Sequence, residues 1–182
     1  MKTANITTSS QTSELMDKDK KIALQINDLL MAGGTVGDTL NYTAQDYEAL
    51  YCVGHGYYQE ARYQDACQVF SFLVIHNHLE LRFILAFASS LQMLERWADA
   101  IHYYSMAIAM DMLNPQPMLH VCECLIGLER FAQAREGLLL VLARSQQIDL
   151  EKMMQKAQAL LEFVGDRCDV EATPATDMKA GH

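Results

Sequence analysis

The feature that most restricts the fold is an internal repeat. Arg62-Tyr63-Gln64-Asp65-Ala66, Arg96-Trp97-Ala98-Asp99-Ala100 and Arg130-Phe131-Ala132-Gln133-Ala134 share the form Arg-aromatic-x-x-Ala, and their alanines recur at intervals of 34 residues. Three copies in strict register imply one supersecondary unit repeated, each unit burying its apolar face against the next. The composition agrees with helices. Only 3 Pro and 9 Gly are present, and Leu, Ala, Met, Glu and Gln are abundant, which argues against an all-β chain.

The period is that of a tetratricopeptide helical hairpin, and the rest of each unit tests the assignment. With the alanine at repeat position 20, units start at Tyr47, Leu81 and Pro115, spanning approximately 47–80, 81–114 and 115–148. The core stripe of helix A, at positions 4, 7, 8 and 11, then reads Leu50, Val53, Gly54, Tyr57; Ile84, Phe87, Ala88, Leu91; and Met118, Val121, Cys122, Leu125. Position 8 is small each time, as a close helix contact requires. Helix B carries Ala66, Phe70, Leu73; Ala100, Tyr104, Ala107; and Ala134, Leu138, Val141 at helical spacing. The expected architecture is all-α: a helical-hairpin superhelix of three repeats over 44–146, with an N-terminal helix and a C-terminal capping helix.

The flanks divide by composition. Residues 1–16 are polar and are expected to be disordered. Residues 17–43 form an N-terminal helical region, with a helix from about Asp19 to Met31 that carries Ile22, Ile26, Leu29 and Leu30 on one side and stops at Gly33-Gly34. Thr35 is placed to cap a short turn, and Thr43 with Asp46 resembles a capping box opening the first repeat. Leu150, Met153, Met154, Ala157, Leu160, Leu161 and Val164 make one apolar stripe, so 149–164 is read as the helix that seals the stack, and 165–182 as a disordered tail.

Charge narrows the partners. The 14 Lys+Arg against 23 Asp+Glu give −9, which repels phosphate backbones and makes nucleic acid an unsuitable partner. No apolar run reaches the ~18 residues of a membrane span, and the start of the chain lacks an apolar secretory leader, so direct membrane insertion is not expected and the cytosol is. Cys52, Cys67, Cys122, Cys124 and Cys168 lack paired spacing and sit mostly in helical patterns; they read as reduced and structural.

A second stripe on helix A, at positions 2, 5, 9 and 12, points away from the core. It reads Glu48, Tyr51, His55, Tyr58; Arg82, Leu85, Ser89, Gln92; and Gln116, Leu119, Glu123, Ile126. Stacked A helices line the inner wall of such a superhelix, so this mixture of rings, aliphatic groups and donors suits an extended peptide. Other chemistry is poorly supported. Cys122 and Cys124 point in different directions on a helix, and His76 and His78 near a helix end lack the further ligands that structural zinc needs. His55 has no nucleophile with an orienting carboxylate, and Gly33-Gly34 lacks the continuation of a phosphate loop. No catalytic residue, metal site or cofactor is expected. The alternatives are an adaptor that grips a C-terminal carboxylate, which needs converging Lys and Asn where this stripe has Tyr51, His55 and Glu123, and a scaffold subunit.

The chain resembles the class II, tetratricopeptide-containing chaperones of bacterial type III secretion translocators, from about Lys20 to Val164. The resemblance rests on Gly33-Gly34-Thr35, Leu50-Tyr51, Tyr58-Gln59, Tyr63-Gln64-Asp65-Ala66 with Val69-Phe70, Arg82-Phe83, Asp99-Ala100-Ile101-His102-Tyr103-Tyr104-Ser105, Met110-Asp111 and Glu123-Cys124-Leu125. It implies a non-enzymatic chaperone of the bacterial cytoplasm that binds hydrophobic translocator proteins through an extended segment near their N-terminus. Tyr51 and Tyr58 match the family's groove, and His55, Leu85 and Leu119 are added by groove geometry. The family's first helix mediates dimers, which makes Ile22, Ile26, Leu29 and Leu30 the candidate homodimer interface. Some members also bind a transcriptional regulator, which adds such a regulator to the partners the resemblance implies, although no residue here establishes that role. Ala86-Phe87-Ala88-Ser89-Ser90-Leu91 departs from the family's usual Gly-rich stretch at that place, so contacts in the second unit are expected to differ.

Overall fold

The computed structural model describes residues 20–21, 24, 27–29, 31–147 and 151–171. Among these every regular element is helical: α1 Val36–Thr39, α2 Ala44–Gln59, α3 Tyr63–His76, α4 Leu81–Met93, α5 Trp97–Met110, α6 Gln116–Gly127, α7 Phe131–Gln147 and α8 Glu151–Glu171. Three antiparallel pairs, α2/α3, α4/α5 and α6/α7, pack in chain order, and α8 closes on α7.

Local chemistry sets the helix ends. Thr35 and Thr43 each open a helix through a reciprocal capping box: their hydroxyls accept from the N–H groups of Asp38 and Asp46, whose carboxylates accept from the threonine N–H groups at 2.6 and 2.9 Å. The A helices all end alike. Ala61, Glu95 and Glu129 take the left-handed conformation with φ of 59°, 58° and 59°, and the next N–H, of Arg62, Arg96 or Arg130, donates back to Tyr57, Leu91 or Leu125 at 2.9 Å. A side chain in that conformation costs about 1 kcal/mol, which the recovered carbonyl bonds offset. Arg62 and Arg96 then pair with Asp65 and Asp99 at 2.7 Å, where the third unit has Gln133.

The buried layer follows the repeat. Ala66, Ala100 and Ala134 have no exposed surface, nor do Leu73, Ala107 and Leu138. Gly54 faces Phe70 so closely that an added Cβ would lie 2.7 Å from Cε1 of its ring, which is why position 8 stays small. One core cluster spans the first two units; the second joins Leu119, Cys122, Ala134, Leu138 and Val141 to Ala157 and Val164 of α8.

Two expectations change. Val53, placed in the core stripe, is 49% exposed, whereas Phe87 and Val121 at the same repeat position are 8% and 9% exposed. The reason is positional: α4 and α6 pack against the preceding B helices α3 and α5, but α2 has no preceding hairpin. The sealing helix runs to Glu171, beyond the 164 expected, so the tail is not irregular from 165. Of the N-terminal apolar set, Leu29 is half-buried and covers Gly34; Ile22, Ile26 and Leu30 lie outside the described residues, as do residues 1–19 and 172–182.

Candidate functional site

Tyr51, His55 and Tyr58 lie along one face of α2 because their spacing of four and three residues matches the helical turn. Across from them α4 presents Arg82, Leu85, Ala86 and Ser89, and Phe70 of α3 forms the floor. The result is an open cup of about 280 Å³ between the first two A helices.

Its rings are held in place. Tyr51 packs on Phe70 and Phe83 at centroid distances of 5.7 and 5.8 Å and stacks on His55 at 6.2 Å; Tyr58 meets Tyr63 edge-on at 5.3 Å. Burial raises the pKa of the Tyr58 hydroxyl, so it stays a neutral donor. Arg82 lies 5.1 Å over the Tyr51 ring and bridges Glu48 and Glu80 at 3.1 and 3.2 Å. Rings already fixed lose little entropy when a ligand arrives, so the cup is preorganised for an apolar side chain, with polar groups at its lip for a peptide backbone.

Leu119 corrects the expected stripe. It is 4% exposed, because α8 lies across α6 and covers the third unit's A helix. It forms the floor, with Met153, of a second and wider cavity of about 610 Å³ between α6 and α8. The sequence brings Tyr51, His55, Tyr58 and Leu85 together; Leu119 belongs elsewhere.

A polar line that residue patterns did not disclose joins the two cavities. Ser89 Oγ lies 3.0 Å from Tyr104 OH, which donates to Gln92 Oε1 at 2.7 Å; Gln92 Nε2 donates to Glu123 Oε2 at 2.9 Å. His120 Nδ1 meets the same oxygen at 2.9 Å, and Lys156 Nζ meets Oε1 at 2.5 Å. Burial alone would raise the Glu123 pKa, but hydrogen bonds from His120, Lys156 and Gln92 outweigh it and hold the carboxyl down at about 2. Glu123 and Gln92 stand on the stripe that sequence reading singled out; their convergence with Tyr104 and Lys156 depends on helices far apart in the chain.

Other reactive groups are quiet. Burial pushes the thiols of Cys122 and Cys124 up to about 12, so they stay protonated. The His76 ring stacks on Phe72 at 3.9 Å with its Nδ1 2.7 Å from the Phe72 carbonyl, and its own carbonyl accepts from Tyr47 OH at 3.3 Å. Among the described residues no three His, Cys, Asp or Glu converge as a metal site, and no helix is long and apolar enough to cross a membrane.

Fold and cup together define a tetratricopeptide-type stack of three hairpins with an apolar recess on its A-helix side. The chain is a relative of the type III secretion chaperones. It is 28% identical over 149 residues to low calcium response locus protein H of Yersinia pestis, covering 81% of this chain and 89% of that protein. Its fold matches that of a type III secretion system complex from Aeromonas hydrophila with a TM-score of 0.73 at 27% identity, over 80% of this chain and 97% of the other. It also matches the Yersinia enterocolitica chaperone SycD in complex with a peptide of the translocator YopD, with a TM-score of 0.64 at 28% identity, over 69% and 97% of the two chains. SycD has also been solved in an alternative dimer. No protein-family model matches the chain.

Proposed function

We propose that this protein is a chaperone that binds hydrophobic translocator proteins of a type III secretion system in the bacterial cytoplasm and keeps them soluble until secretion. The observation that carries this reading is the preorganised cup of Tyr51, His55, Tyr58 and Leu85, in a chain related to a chaperone described with a translocator peptide. A translocator must later enter a membrane, so its apolar segments aggregate in water unless masked. Binding a short extended segment lowers the free concentration of the aggregating form, and a net charge of −9 keeps the complex dispersed. The cup's fixed rings and half-exposed aliphatic wall suit a short extended apolar segment, and the family resemblance implies that this segment lies near the cargo's N-terminus. The work asked of the site is binding, with no bond made or broken.

The same reading assigns a homodimer contact to Ile22, Ile26, Leu29 and Leu30, in keeping with the dimer known for SycD. An adaptor gripping a C-terminal carboxylate finds less support, because Tyr51, His55 and Glu123 occupy positions where such a clamp needs Lys and Asn.

The test is to replace Tyr51 and Tyr58 with Ala in the tagged protein in its own host. Retention of a secreted, membrane-active cargo should fall at least tenfold, since buried aromatic anchors carry ~2 kcal/mol or more. Circular dichroism should show the helices intact. Unchanged cargo with intact helices would refute the assignment.

A further inference from the structure

The second cavity, between α6 and α8, is not needed for the cup described above, yet it is wider and has an unusual rim. Leu119 and Met153 give it an apolar floor; Lys152, Lys156 and His120 stand around it against one carboxylate, Glu151, at the edge. Between Lys21 and Lys179 the chain contains two lysines, Lys152 and Lys156, and both line this cavity. With Glu151 at the edge and Glu123 beneath, the two lysines make this patch locally neutral in a protein of net charge −9. Glu123 beneath the rim is already satisfied by His120, Gln92 and Lys156, which leaves Lys152 free to meet an incoming anion.

A line of side-chain hydrogen bonds links the cavity to the first cup. Ser89 lines the cup, His120 and Lys156 line the cavity, and the bonds through Tyr104, Gln92 and Glu123 join them along the A-helix face. Ser89, Gln92 and Glu123 are partly exposed along it, while Tyr104 is buried.

Resting on the chaperone reading, we infer that the α6–α8 cavity is a second subsite for the same cargo chain, taking an acidic residue beside an aliphatic one. Leu119 and Met153 receive the aliphatic group and Lys152 the carboxylate. Neighbouring A helices stand roughly 10 Å apart, so the two sites are on the order of 20 Å apart, or about six residues of extended chain. The cargo segment thus carries an apolar anchor for the cup and, about six residues away, an Asp or Glu next to a Leu, Ile, Val or Met. Two linked contacts slow dissociation more than either alone, and the charged one makes retention salt-dependent.

The experiment places a benzoylphenylalanine photo-crosslinker at His55 in the cup and, in a separate protein, at exposed Gln116 on the second rim, in full-length chain in its own host. Adducts are mapped by mass spectrometry. The inference expects both positions to label one short stretch of the same cargo, with an acidic residue near the Gln116 adduct. A peptide of that stretch should then bind Lys152→Glu about fivefold more weakly than the unaltered protein at low salt, with Lys152→Arg restoring it. Labelling from His55 with none from Gln116 overturns the second subsite and leaves the cup standing, as does a Gln116 adduct in a stretch without acidic residues or equal affinity for Lys152→Glu. Absence of cargo labelling from both positions overturns the chaperone reading as well.

Discussion

The first and third units present the same repeat positions to opposite fates. Position 5 is half-buried Tyr51 in the first and buried Leu119 in the third; position 9 is exposed His55 in the first and mostly buried Glu123 in the third. The difference is the neighbour. Tyr51 packs at the edge of the first core cluster and keeps part of its ring open, while Leu119 joins Ala157 and Val164 of α8 within the second cluster, and Glu123 is held by Lys156 of the same helix. Identical periodicity therefore yields an aromatic cup at one end and, at the other, a wider cavity whose floor and polar latch are built with α8. Repeat position fixes which way a side chain points; the next element in the stack fixes whether it meets solvent.

Substitutions at one repeat position break or sharpen this comparison most strongly. Phe87→Ala should cost about 3–5 kcal/mol in urea denaturation, since it empties a packed interface, whereas Val53→Ala should cost under about 0.5 kcal/mol. Equal losses would mean that Val53 is covered in solution and that the two ends are alike. Next in size, Glu123→Ala should destabilise by about 2–3 kcal/mol, because it strands His120, Gln92 and Lys156.

The same carboxylate predicts a pH dependence. Its pKa is lower in the folded state, about 2 against 4.5, so its contribution is complete above about pH 4.5 and is lost as pH falls toward 2. Subtracting the stability curve of Glu123→Gln from that of the unaltered protein should isolate this loss, and a difference flat through that window would remove the latch. The smallest effect is stabilising. Glu95→Gly and Glu129→Gly relieve left-handed side chains and should each add about 0.5–1 kcal/mol, provided the turns match as the backbone shows.

Much of this was legible in the sequence. The 34-residue recurrence of Ala66, Ala100 and Ala134 gave the hairpins and their buried layer, and Thr35 and Thr43 marked helix starts, because these depend on period and local hydrogen bonds. Tyr51, His55, Tyr58 and Leu85 were readable for the same reason: one helix face and its 34-residue echo. Leu119 and Val53 were not, since burial at the ends of a stack depends on what caps it. The Ser89–Tyr104–Gln92–Glu123 line was hidden because no short spacing joins residues on α4, α5, α6 and α8.

The outer face offers the sharpest contrast to the cup, since Met112, Leu139 and Leu140 are exposed there, the last two at positions where earlier units carry Ser105 with Met106 and Ser71 with Phe72. Hydroxyl-radical footprinting of the protein alone and with its co-purified cargo separates the two faces in one measurement. Oxidation of Tyr51, His55 and Tyr58 should fall severalfold on cargo binding while Met112, Leu139 and Leu140 react as before. Protection of the outer trio with Tyr51 and Tyr58 unchanged would contradict the account.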